Sequence, residues 1–347
     1  ASAQGGSIVK YVLVVGDGMA DFPIEALGGE TPLSYLKPKG FATVAGGQLG
    51  RLRSCPTSLP PGSDTAFLTL LGNDTEKVYT GRSPLEAAGM GVALGADEAA
   101  MRLNLTAIDD SRGYESAVMR SHNGGGIDGQ PAWELINALM ADGAFQALAR
   151  ACGMRIAPTD TFRHAAILPG AADDFALTPP HDIVGQPIAA HLPGGPRGRL
   201  LRDLQIASYA ALSDHPVNAR RRAAGLMAAN CAWFWGAGTA CRLDDFGQKY
   251  GVSGLVVSAV PLVKGIARLN GLEAPDDKRF TGLLDTDYAG KVDCAMTALQ
   301  TRDFALVHLE APDEMSHDGS LENKLESIRR VNDLVVEPLL KRLPDLG

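Results

Sequence analysis

Asp17, Ser63, Asp313 and His317 are the residues whose types and settings could carry chemistry. Asp17 closes the apolar run Tyr11-Val-Leu-Val-Val15, and the glycines beside it, Gly16 and Gly18, let the backbone turn tightly and a ligand come close. A hard carboxylate there suits a divalent cation; the plainer reading is an Asx turn that ends the strand. Ser63 follows Pro60-Pro-Gly62 and opens the helical pattern Thr65-Ala-Phe-Leu-Thr-Leu-Leu71. It is either a nucleophile whose phosphorylated form would rest on free amides at a helix N-terminus, or, with Asp64, simply a cap. Asp313 and His317 follow a second apolar run, Phe304–Leu309. If the segment is helical, their spacing brings a carboxylate and an imidazole to one face as a ligand pair for Zn²⁺ or Mn²⁺. If it is a loop, they come to one mouth; the plainer reading is a solvated loop following the strand. His308, inside the apolar run, reads as a satisfied core histidine. Together these residues point to metal-assisted phosphoryl transfer through a covalent phosphoserine.

Cationic candidates for an anionic substrate are scattered. Arg82 follows the turn Tyr79-Thr-Gly81, and Arg163-His164 sit in an apolar run where an unpaired charge is costly. Arg220-Arg-Arg222 could clamp an anion or coat a helix. Lys264 opens a helical pattern, and Lys278-Arg279 precede the turn Thr281-Gly282. Each alone is better explained by surface or structural use.

The elements that must position these side chains can be read from periodicity. Apolar, β-rich runs occur near 8–15, 231–235, 254–258 and 304–309, with helical patterns near 63–71, 260–270, 290–300 and 320–341. That alternation predicts an α/β fold with a doubly wound, mostly parallel sheet. Active sites of such sheets lie at the C-terminal ends of the strands, where Asp17 and Asp313 fall. Residues 96–209 differ in texture. Met101–Ile108 and Phe162–Leu168 mix polar and apolar residues like half-exposed antiparallel strands, and a helical pattern near 131–149 separates them. This predicts a discontinuous core, 1–95 with 210–347, and an inserted α+β cap, 96–209.

Composition bounds the function. The 347 residues are 45% hydrophobic and 21% charged, and the net charge of −8 argues against a nucleic-acid or anionic-membrane partner. The odd count of cysteines (55, 152, 231, 241, 294), without a CxxC pair, fits reduced thiols and a cytoplasmic setting. The start, Ala-Ser-Ala-Gln-Gly-Gly-Ser, has no apolar stretch of signal-peptide type, and no run approaches a membrane span.

Taken in order, the segments Gly16–Asp21, Pro61–Ala66, Tyr79–Ala87, Thr178–Ile183, His215–Asn218, Trp233–Gly236, Val263–Ile266, Leu284–Tyr288 and Ala311–Gly319 resemble the archaeal-type cofactor-independent phosphoglycerate mutases of the alkaline phosphatase superfamily. They run over nearly the whole chain. The resemblance implies an alkaline phosphatase-like core, two divalent cations (Mn²⁺ first, then Mg²⁺, Zn²⁺ or Co²⁺) and a small phosphorylated substrate, and it leaves room for a homo-oligomer. It assigns Ser63 as nucleophile and metal ligand, Asp17 as a metal ligand, and Asp313 and His317 to the second metal. It offers Arg82, Arg163, His164, Lys264 and Lys278 as substrate contacts. The neighbouring chemistries are a phosphatase or transfer to another small alcohol such as homoserine; a catalytically inert binding protein is the rival of another class. The family continues past the helix at 320–341 into a strand with an Asp-His pair and a further His. The residues here stop at Gly347, so a longer molecule is expected.

Overall fold

The computed structural model describes residues 9–111 and 113–346; the small polar start, read above as no signal peptide, lies outside them. Among the described residues eight strands run in chain order: β1 (Tyr11–Gly16), β2 (Glu98–Asp109), β3 (Val118–Ser121), β4 (Arg155–Ala157), β5 (Arg163–Pro169), β6 (Cys231–Thr239), β7 (Gly254–Val257) and β8 (Phe304–Leu309). The chain divides into two compact units, Ala1–Val78 with Arg242–Gly347, and Tyr79–Cys241.

The first unit is mixed α/β around a parallel sheet of order β1-β8-β7. β8 lies in the middle and all six of its residues are buried, which is why it reads as one unbroken apolar run. Helices Pro261–Leu269, Tyr288–Leu299 and Leu321–Val331 belong to this unit. The last buries Lys324, Ser327, Ile328 and Val331, a stripe of helical spacing, and Ser320 caps it. Residues Asn332–Val336 then widen into a π turn before helix Glu337–Arg342. Pro338 accounts for the widening: it has no N–H, and its ring would strike the carbonyl four residues earlier in a regular helix. β1 and β8 pair from Tyr11↔Phe304 to Gly16↔Leu309, so both chains emerge at one edge of the sheet.

The second unit is built on an antiparallel sheet of order β3-β2-β5-β4, with β6 also paired to β2. Helices Gly129–Ala141, Gly143–Ala151 and Gly198–Leu212 pack one face against Met101, Leu103 and Leu105. Helix Arg82–Gly89 contributes Ala87 to a cluster with Ala100, Ala165 and Ile167. The strands of 96–209 are antiparallel, as their texture predicts, but they are not half-exposed: nine of the twelve residues of β2 are buried. Two further expectations need correction. The run 231–235 belongs to this antiparallel sheet and not to the parallel one. The unit also begins at Tyr79 and ends at Cys241, where the sequence set 96 and 209, because β6 pairs along β2 and helix Arg82–Gly89 packs on both strands. No helix among the described residues is long and apolar enough to cross a membrane.

Candidate metal centre and nucleophile

The ends of β1 and β8 carry the site. The Asp17 amide donates to the Leu309 carbonyl at 2.9 Å, so the two strands finish level with each other. Gly18 turns the chain with φ +64°, and a Cβ there would lie 2.4 Å from Asp313 Cα. Only glycine fits: the left-handed conformation and the close backbone approach both exclude a side chain. Asp313 is thereby held against the Asp17–Gly18 turn.

His308 reaches the same edge. Its Nε2 lies 3.5 Å from Asp17 Oδ2 and 3.0 Å from Glu310 Oε2. Its Nδ1 is 2.9 Å from Ser258 Oγ, which also accepts from the Val260 amide at 3.0 Å. Nε2 and Glu310 Oε2 are both buried and neither has a well-aligned hydrogen-bond partner, despite their short separation. One ligand atom each from Asp17, His308 and Glu310 lie within 4.8 Å of one another. Buried polar atoms left this way are costly. A cation among them would satisfy all three, and one imidazole nitrogen with two carboxylates suits Mn²⁺, Zn²⁺ or Co²⁺.

The electrostatics favour positive charge at this point. Burial alone would push the Asp17 carboxyl up, but the attraction of His308 outweighs it and holds the group below the usual carboxylate range. Burial likewise opposes charge on His308, yet the flanking carboxylates raise it above an ordinary imidazole. Asp313 is raised by burial and by repulsion from Asp17 and Glu310. His308 is thus buried, as the sequence reading has it, but it is not satisfied: its Nε2 has no well-aligned hydrogen-bond partner among the described residues and faces the two carboxylates of this cluster. Glu310 was missed; a carboxylate just past a strand gives the same signal as a solvated loop.

Asp313 and His317 lie on helix Ala311–His317, four residues apart, with His317 Nε2 3.3 Å from Asp313 Oδ2. The spacing does what it predicts for a helix. His317 is exposed. Ser63 is the first residue of helix Ser63–Leu70, where the capping position belongs to Gly62. Its side chain makes no hydrogen bond to another described residue, so the capping role does not explain it. One turn along, the ring of Phe67 meets His308 edge-on at 4.8 Å, which packs this helix against the strand end that carries the cluster.

The second unit gathers the arginines. Arg82 and Arg102 both pair with the carboxylate of Glu86, Arg82 at 2.9 Å. The Arg102 guanidinium stacks 4.4 Å from the centre of Trp235. Trp235 touches His181, His181 touches His122, and His122 touches Phe162, whose ring carries Arg163 at 4.8 Å. Arg82 and Arg163 thus stand at the ends of one chain of contacts. Burial, then His181 and Arg163, hold His122 below the ordinary imidazole value. Glu86, Arg102, His122 and Trp235 were not singled out from sequence; the polar alternation of Arg102 and Asn104 in an apolar strand was the available signal. His164 does not join this group. It is buried, its Nδ1 accepts from the Thr159 amide at 3.0 Å, and burial pushes it down to about 3, so it is neutral. Lys264, in the first unit, is half-buried and paired with Asp276 at 2.6 Å. Lys278 is exposed and makes no ion pair with a described residue.

A family model described as 2,3-bisphosphoglycerate-independent phosphoglycerate mutase matches residues 45–218. The 2,3-bisphosphoglycerate-independent phosphoglycerate mutase of Methanothrix thermoacetophila is 39% identical over 98% of this chain and 83% of its own. That of Methanosarcina barkeri is 40% identical over 96% of this chain and 81% of its own. Among solved structures, the PH0037 protein of Pyrococcus horikoshii superposes with a TM-score of 0.75 at 26% identity, over 96% of this chain and 78% of that one. Likeness of this degree over nearly the full chain leaves one conclusion: the chain belongs to the 2,3-bisphosphoglycerate-independent phosphoglycerate mutase family.

Proposed function

We propose that the chain interconverts 3-phosphoglycerate and 2-phosphoglycerate through a phosphoserine at Ser63, on an alkaline phosphatase-like core into which a cap is inserted. The observation that carries this reading is the convergence of Asp17, His308 and Glu310, with Asp313 packed beside them, in the unit that presents the unengaged Ser63 hydroxyl. Asp17, His308 and Glu310 would hold one divalent cation, Mn²⁺ first, and Asp313 with His317 would hold another. Such cations would supply positive charge to the transferring phosphoryl group and favour the alkoxide of Ser63.

Ser63 Oγ attacks phosphorus in line. The Oγ–P bond forms as the ester bond to the substrate oxygen breaks, leaving phosphoserine and bound glycerate. The phosphoryl oxygens lie at the first turn of helix Ser63–Leu70, where free amides and the helix dipole favour an anion. Arg82 and Arg163, with Arg102 and His122 between them, form a basic group within the second unit of the kind that suits a small carboxylate. The glycerate turns, its other hydroxyl attacks the phosphoserine, and Ser63 is regenerated. Water kept from the phosphoserine separates a mutase from a phosphatase.

Rapid acid quench of the full-length protein with 3-phosphoglycerate, followed by peptide mass spectrometry, tests the assignment. Phosphate is expected on Ser63 and on no peptide of Ser63→Ala. A turning-over enzyme whose Ser63 peptide is never phosphorylated contradicts it.

A further inference from the structure

Lys291 is fully buried on helix Tyr288–Leu299, and it forms no ion pair with a described residue. An ammonium group is seldom taken out of water on those terms. Its Nζ donates to the carbonyl oxygen of His308 at 2.9 Å and lies 5.9 Å from the centre of the Phe280 ring.

The sheet register explains why that carbonyl needs a donor. Successive carbonyls along a strand face opposite neighbours. Leu309 O accepts from Asp17 on the β1 side, so His308 O faces β7. β7 stops at Val257, opposite Val307, so no residue of β7 pairs with His308. Lys291 supplies the donor the ladder lacks, while Ser258 holds the same histidine at Nδ1. We propose that Lys291 is a positioning residue, which fixes the His308 backbone and with it the aim of His308 Nε2 and Glu310 at a cation it does not itself ligate. This rests on reading Asp17, His308 and Glu310 as the cation-holding group. Burial pushes the Lys291 ammonium down to about 8, and Glu310 opposes the drop, so its charge is felt in the cluster.

Calorimetric Mn²⁺ titration of the full-length protein tests this, with Lys291→Met, Lys291→Gln, Asp17→Asn and Val292→Ala beside the wild type. Val292 is a buried core residue of the same helix and serves as the packing control. Lys291→Met, with no donor, is expected to weaken Mn²⁺ binding at least tenfold. Lys291→Gln, with a shorter donor, should lose three- to tenfold, and Val292→Ala less than twofold. The electron paramagnetic resonance spectrum of bound Mn²⁺ should change in both Lys291 variants and not in Val292→Ala. If Lys291→Met does not fold, the Gln variant decides. Wild-type affinity in the Lys291 variants, while Asp17→Asn loses binding, overturns the positioning role. So does an equal loss in Val292→Ala. A wild type that binds no Mn²⁺ overturns the cation reading first, and this inference with it.

Discussion

Ser63 and two histidines show how much one side chain's position decides. Ser63 opens its helix without capping it, since Gly62 holds that position. Ser63→Ala is therefore expected to abolish transfer while changing stability by no more than about 0.5 kcal/mol, as for a surface substitution away from structural features; urea unfolding beside a turnover assay checks both. His164 and His308 both lie in apolar strands, and their rings face different surroundings. An apolar flank says that a histidine is buried but not what its ring faces. His308 is the penultimate residue of its strand and looks onto two carboxylates; His164 is the second residue of β5, held by the Thr159 amide with Nε2 buried and unpartnered. The neutral His164 has a testable cost. Its folded pKa is depressed to about 3 against an ordinary 6.5, so the unfolded chain takes up a proton first. The stability it permits is present above pH 6.5 and is lost as pH falls from 6.5 toward 3. His164→Asn keeps an acceptor for Thr159. It should flatten the stability profile between pH 4 and 6 by about 1.4 kcal/mol per pH unit, the value of one proton. An unchanged slope in urea titrations would show that His164 is not the group responsible.

At the level of elements, strand and helix positions were legible while partnerships were not. Runs such as Phe304–Leu309 announce a central parallel strand because both faces are apolar, and Asp313-x-x-x-His317 announces one helical face. Cys231–Thr239 carries the same apolar signal, yet it lies in the antiparallel sheet. Burial on both faces does not encode which neighbour supplies the hydrogen bonds. Gly18 was legible as a turn, but its approach to Asp313, nearly 300 residues away, was not. That contact gives the element-scale prediction. Gly18→Ala forces a side chain into a left-handed conformation and against the Asp313 backbone. It should cost at least about 1–3 kcal/mol, the usual range for such strain, and it should weaken Mn²⁺ binding because Asp313 must move. Chemical denaturation and calorimetry on the same variant measure the two effects. Unaltered stability and binding would mean that the turn is not constrained as described.

In the whole molecule the charges are sorted. The carboxylates that suit a cation lie at the strand ends of the first unit, and the stacked arginine–aromatic chain lies in the second. A net charge of −8 thus coexists with a local basic group suited to a small anion. Composition argues against a nucleic-acid partner but could not show that segregation, which depends on β2, β3, β5 and β6 coming together in the second unit. The central claim is that the chain is a mutase acting through Ser63. Phosphorus NMR of the full-length protein incubated with Mn²⁺ and 3-phosphoglycerate tests it directly. The expected result is a growing 2-phosphoglycerate signal that reaches equilibrium with little inorganic phosphate and is absent in Ser63→Ala. Inorganic phosphate as the main product, or the same 2-phosphoglycerate signal from Ser63→Ala, would contradict the account.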